Sequence, residues 1–128
     1  MADKKVRVAV YLRADNEDLI ETIKKHYINM ITERNGMVLT GFYVDIKKSA
    51  YRVDNREGFG QMISDAETSK FDKIITPSMT CFSRNMQDLF ETLQRFGDCG
   101  VGVYFENDGV GTALTDGEVR MAIRSALE

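Results

Sequence analysis

The apolar residues of the chain recur with two alternating periods. From Val6 to Leu12 they form a short, β-branched run, VRVAVYL, of the kind a strand buried on both faces requires. From Glu17 to Asn35 the spacing changes: Ile20, Ile23, Tyr27, Met30 and Ile31 return at three- and four-residue steps, and Asn35-Gly36 supplies a C-terminal stop. That spacing predicts an amphipathic helix. Met37 to Val44 is a second strand, followed by a polar stretch from Asp45 to Asn55 without periodicity, the mark of a mobile or functional loop. Gly58 to Thr68 is a second helix with Phe59, Met62, Ile63 and Ala66 on one face, and Phe71 to Thr76 a third strand. Met86 to Phe96 carries Met86, Leu89, Phe90 and Leu93 at helical spacing and stops at Gly97, and Val101 to Glu106 is a fourth strand. The last segment opens on Thr115-Asp116-Gly117-Glu118, a capping box, and continues with Val119, Ala122, Ile123 and Ala126 on one face. It predicts a helix that reaches Glu128 without a stop signal, as expected of a chain cut from a longer parent.

Strand and helix alternating four times define an α/β fold: an open, mostly parallel sheet of four to five strands with helices on both faces. A length of 128 residues and a hydrophobic content of 43% suit one domain, residues 1–128, with a real core. The formal charge of −3 gives no whole-chain argument for nucleic acid or an anionic membrane, so a polyanion must be held by local cations. No apolar run is long enough to span a bilayer, and MADKKVRV lacks a signal-peptide core, so we expect a cytoplasmic protein without membrane attachment. Cys81 and Cys99, with the single histidine His26, match neither a metal-ligand spacing nor a disulfide framework, and we expect reduced thiols, no metal and no cofactor.

In open parallel sheets ligands bind beyond the carboxyl ends of the strands. That rule selects Arg13 and Asp15, the segment from Asp45 to Arg56, Thr76 to Arg84, and Glu106 to Thr112. Three of these groups bring arginines: Arg13, then Arg52 and Arg56, then Arg84. Guanidinium groups gathered at strand ends match phosphate oxygens, although a single loop arginine is as well explained by solvation. Asp45 reads as an orienting residue for its loop. His26, beside Tyr27 in mid-helix, reads as a partly exposed helical residue, and Met30, Met62 and Met86 as core filler. No glycine pattern follows a strand and opens a helix, so a dinucleotide site is not indicated.

These residues stand in a recognisable order. YLRAD, Tyr11 to Asp15, resembles the opening signature of the serine recombinases, the resolvase and invertase family, in which Tyr, any residue, Arg and Val precede Ser. YVDIKKSAYRVDNREGF, Tyr43 to Phe59, is similar to the family's second block, an aspartate after a strand, a serine, then an arginine opening a helix. FDKIITPSMTCFSRN, Phe71 to Asn85, resembles the third, where a strand leads to an arginine-rich turn. VGVYFENDGVGTALTDGEVRMAI, Val101 to Ile123, resembles the fourth, where a strand and a Thr-containing loop lead to Gly-Glu at the start of a long helix. Four blocks in order cover nearly the whole chain.

The resemblance implies a resolvase-like catalytic domain for site-specific DNA recombination. In that family a serine hydroxyl attacks a phosphodiester and stays attached as a 5′-phosphoserine, while arginines oppose the charge that grows on the phosphoryl oxygens. Carried over, the functional positions fall on Arg13, Ser49, Arg56 and Arg84, with Asp15 at the nucleophile position and Cys81 at an arginine position; Arg52 matches none. A carboxylate repels a phosphodiester and would form an acyl phosphate, and a thiol replaces five guanidinium donors with one weak one. The resemblance thus implies an impaired site in which Asp15 neutralises Arg13 or Arg84. It further implies DNA as partner through the parent protein, a homo-dimer or tetramer, a separate DNA-binding domain absent from this chain, and an origin in a transposon or other mobile element. Two readings stand beside an impaired enzyme: a non-catalytic dimerising or DNA-bound regulatory partner, and a phospho-acceptor signalling domain. The last asks for an acidic pair at the end of strand one and a lysine at the end of the last strand, where Arg13 and Glu106 stand instead.

Overall fold

β1 (Val6–Ala14) is the strand around which the rest is arranged, because its residues Val8 to Leu12 are all fully buried. The structure, a computed structural model, describes residues 5–14, 16–32, 36–46, 57–83 and 85–111, the side chains of Met86 and Val110 excepted. After β1 come α1 (Glu17–Thr32), β2 (Met37–Ile46), α2 (Glu57–Glu67), β3 (Lys73–Thr76), a 3-10 turn (Met79–Cys81), α3 (Met86–Asp98), β4 (Gly102–Phe105) and β5 (Val110–Gly111). The sheet order is β2-β1-β3-β4-β5. Contacts β1–β2, β1–β3 and β3–β4 are parallel, and the short β5 returns antiparallel to β4. The expected architecture is therefore the observed one.

Period-two alternation in β1 sends its residues to two separate cores. Val8, Val10, Leu12 and Ala14 meet Ile20, Tyr27 and Ile31 of α1 on one face. Ala9 and Tyr11 meet Phe59 and Met62 of α2 and Leu89, Leu93 and Phe96 of α3 on the other. That second core is an aromatic cluster with Phe82 at its centre. The ring of Phe82 lies 5.8 Å from Tyr11, 5.1 Å from Phe59, 5.9 Å from Phe96 and 5.3 Å from Phe105, three of these contacts being edge-on as ring quadrupoles favour. Removing so buried a ring costs about 3–5 kcal/mol in other proteins, so Phe82 fixes the chain just after the 3-10 turn.

The elements begin and end close to their sequence-expected positions, with instructive shifts. α1 starts behind Asn16, whose Oδ1 accepts from the Leu19 N–H at 2.8 Å. β3 starts at Lys73, not Phe71: Phe71 is buried, but the turn before it folds back on the helix, with the Thr68 and Lys70 N–H groups donating to the Asp65 carbonyl at 3.2 and 3.1 Å. One register shift lies between Val8 and Ala9 of β1, where β2 steps from Leu39 to Gly41. The bypassed Thr40 uses its hydroxyl to donate to the Val8 carbonyl at 3.0 Å. The predicted C-terminal helix falls outside the described residues.

Candidate active site

The carboxyl ends of β1, β2, β3 and β4 converge, and each is closed by a polar contact. Asp45, near the end of β2 and 8% exposed, receives three donors: the Tyr11 hydroxyl at 2.7 Å, and the Gly58 and Phe59 N–H groups at 2.8 and 3.0 Å. Its carboxylate thus caps the first turn of α2, where backbone donors and the helix dipole favour a negative charge. The cap sits so close to β2 that a Cβ added at Gly58 would lie 2.7 Å from the Val44 carbonyl oxygen. Only glycine fits there.

Arg13 pairs in register with Asp45, and the alternation of β1 puts it on the same face as Tyr11, toward α2 and α3. It is half-buried. Thr76, fully buried at the end of β3, donates from its hydroxyl to the Tyr11 carbonyl at 2.9 Å and so fastens β3 to β1 beside it.

Past β3 the chain turns through Pro77 and Ser78 into the 3-10 turn that ends on Cys81. The Ser78 hydroxyl lies 2.8 Å from that of Thr80 and 3.7 Å from the Cys81 sulfur. Cys81 is half-buried, packs against the aromatic core, and forms no disulfide, nor does Cys99. On the far side of Arg84, the Ser83 hydroxyl accepts from the Asn85 N–H at 3.0 Å, and Asn85 Oδ1 accepts from the Asp88 N–H at 3.0 Å, capping α3. The residues on either side of position 84 are therefore held. Of the sequence-expected site residues, Arg13 and Cys81 lie within the described structure; Asp15, Ser49, Arg56 and Arg84 lie outside the described residues, as does Arg52.

A second polar group at the same end of the sheet includes Glu106, one of the strand-end residues selected from the sequence, with partners that the sequence did not indicate. Glu106, just past β4, accepts from the Tyr27 hydroxyl at 3.1 Å and lies 3.1 Å from His26 Nε2. Both partners come from α1. Burial, reinforced by the Glu106 carboxylate, raises the Tyr27 phenol above its ordinary range. His26 is exposed on its helix, as its sequence position suggested, and its ring also faces Glu106 past β4. Asp45, for its part, is 8% exposed and holds three donors on its two carboxylate oxygens, a structural use that counts against an open phospho-acceptor.

Between α2 and α3 lies a cleft of about 410 Å³ whose lining includes Ser83, Asp88, Glu91 and Arg95. Among its described lining residues the cation, Arg95, pairs with Glu67 at 2.7 Å, and the carboxylates of Asp88 and Glu91 share the walls, which counts against a phosphate site. Among the described residues no cluster of three or more His, Cys, Asp or Glu side chains could hold a metal, and no helix is long and apolar enough to cross a membrane.

The family model described as resolvase, N-terminal domain, matches residues 8–128. Among solved structures the chain is similar to a resolvase family site-specific recombinase from Streptococcus pneumoniae, with a TM-score of 0.74 and 24% identity over 95% of this chain and 86% of that one. It is similar to the N-terminal catalytic domain of TP901-1 integrase, with a TM-score of 0.70 and 20% identity over 93% and 92% of the two chains. The C-terminal catalytic domain of ISC1926 TnpA, an IS607-like serine recombinase, follows with a TM-score of 0.65 and 17% identity over 79% and 70%. No curated protein sequence matches significantly.

Proposed function

The chain belongs to the resolvase N-terminal domain family, and from that premise we propose that it is the catalytic domain of a site-specific DNA recombinase whose strand-cleavage site is impaired. One observation carries the second half of the proposal: the turn that the family furnishes with an arginine ends here on Cys81, half-buried at the carboxyl end of β3. A thiol at that point supplies neither a permanent charge nor a fork of donors to phosphoryl oxygens. Asp15, at the nucleophile position, adds a negative charge where a phosphodiester would approach. Arg13, Ser49, Arg56 and Arg84 are the remaining proposed site residues, with Asp15 neutralising Arg13 or Arg84. DNA and further copies of the chain are the proposed partners.

The support for an intact scaffold is the order at the strand ends. Tyr11, Asp45 and the start of α2 are locked together beside Arg13, and this order supports a frame able to hold a phosphoryl group. The test is a covalent-adduct assay. Labelled DNA carrying the native flanking sequence is incubated with the full protein and, in parallel, with its Asp15→Ser plus Cys81→Arg variant, then denatured and resolved. We expect protein-linked DNA with the variant alone. Adduct from the unmodified protein refutes impairment, and adduct from neither refutes the idea that these two positions are what disables the site.

A further inference from the structure

The 3-10 turn from Met79 to Cys81 is not capped by its own residues. Ser78 stands at the cap position, but its hydroxyl turns to Thr80 and makes no hydrogen bond to a backbone N–H of the turn. The donor at the turn's start is taken instead by a residue from another strand connection: Asp108 Oδ2 accepts from the Met79 N–H at 2.8 Å. Asp108 belongs to the tight link between β4 and β5, whose backbone is fastened to the same segment. The Glu106 N–H donates to the Thr76 carbonyl at 2.9 Å and the Asn107 N–H to the Pro77 carbonyl at 2.8 Å. Gly109, at φ 64°, allows the link to close behind them. Three successive link residues thus grip the chain from Thr76 to Met79, and Glu106 anchors the link to α1 through Tyr27 and His26.

We propose that Asp108 is a positioning residue: it splints the turn that bears Cys81, setting where the side chain at position 81 stands relative to Arg13 at the end of β1. The turn has one 3-10 repeat and no side-chain cap of its own; the side chains of Met79 and Phe82 are buried in the core at its two ends, and Asp108 holds the Met79 backbone N–H and with it the path of the turn between them. Its consequence for strand cleavage rests on the recombinase reading above; its effect on the turn does not.

Two arms separate the two. In a Cys99→Ser background, the rate at which a maleimide labels Cys81 is measured for the parent, Asp108→Asn and Asp108→Ala under conditions where each is folded. Asp108→Ala should raise the rate at least about tenfold, the factor by which losing one hydrogen bond to a charged acceptor shifts a local opening. Asp108→Asn keeps an acceptor oxygen and should stay within about twofold of the parent on the same ground. Exchange of the Met79 amide should follow the same order. If Asp108→Ala does not fold, Asp108→Ser, whose oxygen sits one bond shorter, takes its place. A parental rate in Asp108→Ala, or an equal rise in Asp108→Asn, overturns the splint. In the second arm the same substitutions enter the Asp15→Ser, Cys81→Arg protein. Asp108→Ala should slow adduct formation at least about tenfold at saturating DNA with unchanged DNA binding, and Asp108→Asn should restore it. Equal rates overturn the positioning role, whereas absence of adduct in the Asp15→Ser, Cys81→Arg parent strikes the idea that these two positions disable the site and leaves the labelling arm to decide the splint.

Discussion

Asp45 is the acid on which the local order at the end of β2 depends, and replacing it by alanine should be among the costlier single changes in the chain. The substitution removes the cap of α2, worth about 0.5–2 kcal/mol. It also removes the charged acceptor of the buried Tyr11 hydroxyl at 2.7 Å, and hydrogen bonds to charged groups contribute about 1.5–3 kcal/mol. Together these predict a loss of about 2–5 kcal/mol for Asp45→Ala, a large share of the total for a domain of this size. Urea unfolding followed by circular dichroism measures it, with the slope checked for constancy. A double-mutant cycle isolates the hydroxyl: Tyr11→Phe removes the donor and leaves the cap, so in that background Asp45→Ala should cost less by about 1.5–3 kcal/mol. A coupling under about 0.5 kcal/mol, the usual scatter of additive sites, would refute the view that Tyr11 and Asp45 act as one unit.

Gly58→Ala should destabilise by about 1–3 kcal/mol, although alanine normally favours a helix by about 1 kcal/mol, because the new Cβ would press on the Val44 carbonyl at 2.7 Å; a neutral or stabilised variant in the same unfolding assay would disprove the close approach. Stability should fall at both ends of the pH scale. The hydrogen bond from Tyr43 holds the Asp65 carboxyl below its ordinary range against the opposing effect of burial, with Gln61 and Lys70 assisting, so its contribution is present above about pH 4, the unfolded value, and is lost as pH drops through the folded one. Burial raises the Tyr43 and Tyr27 phenols, so their contribution is complete below about pH 10 and is lost as pH rises beyond it. Asp65→Asn should flatten the acid limb of a stability-against-pH curve and leave the alkaline limb from Tyr27 in place, and an unchanged acid limb would show that Asp65 is not responsible.

Local periodicity was enough to predict the sheet and its helices, because each element's burial pattern is written in residues three or four apart, or two apart, in sequence. Val8, Val10 and Leu12 against Ala9 and Tyr11 are readable as two faces before any coordinates exist. The contacts that order the strand ends are not written that way. Tyr11 reaches Asp45 across 34 positions, Met79 reaches Asp108 across 29, and Tyr27 reaches Glu106 across 79. No spacing rule links such partners: Tyr11 and Tyr27 read as strand and helix residues and Glu106 as a strand end, and only the topology brings each to its partner. The short-range caps were within reach: Asn16 with Leu19 and Asn85 with Asp88 stand at the three-residue offset that side-chain capping requires.

Strand-end acids in this chain share one use. Asp45 holds two amides and a phenol, Asp108 holds an amide, and Glu106 holds a phenol and faces an imidazole, so all three organise the backbone around the site and none is left facing a substrate as a lone carboxylate. Carboxylates are poor company for a phosphodiester but good acceptors for the N–H groups that crowd the ends of parallel strands and the starts of helices. In the sequence Asp15 follows the last residue of β1 and precedes Asn16, the cap of α1. The proposed role of Asp15 differs from theirs in its partner, an arginine of the frame and not an N–H or a phenol, and a gain of cleavage by Asp15→Ser together with Cys81→Arg is its expected consequence.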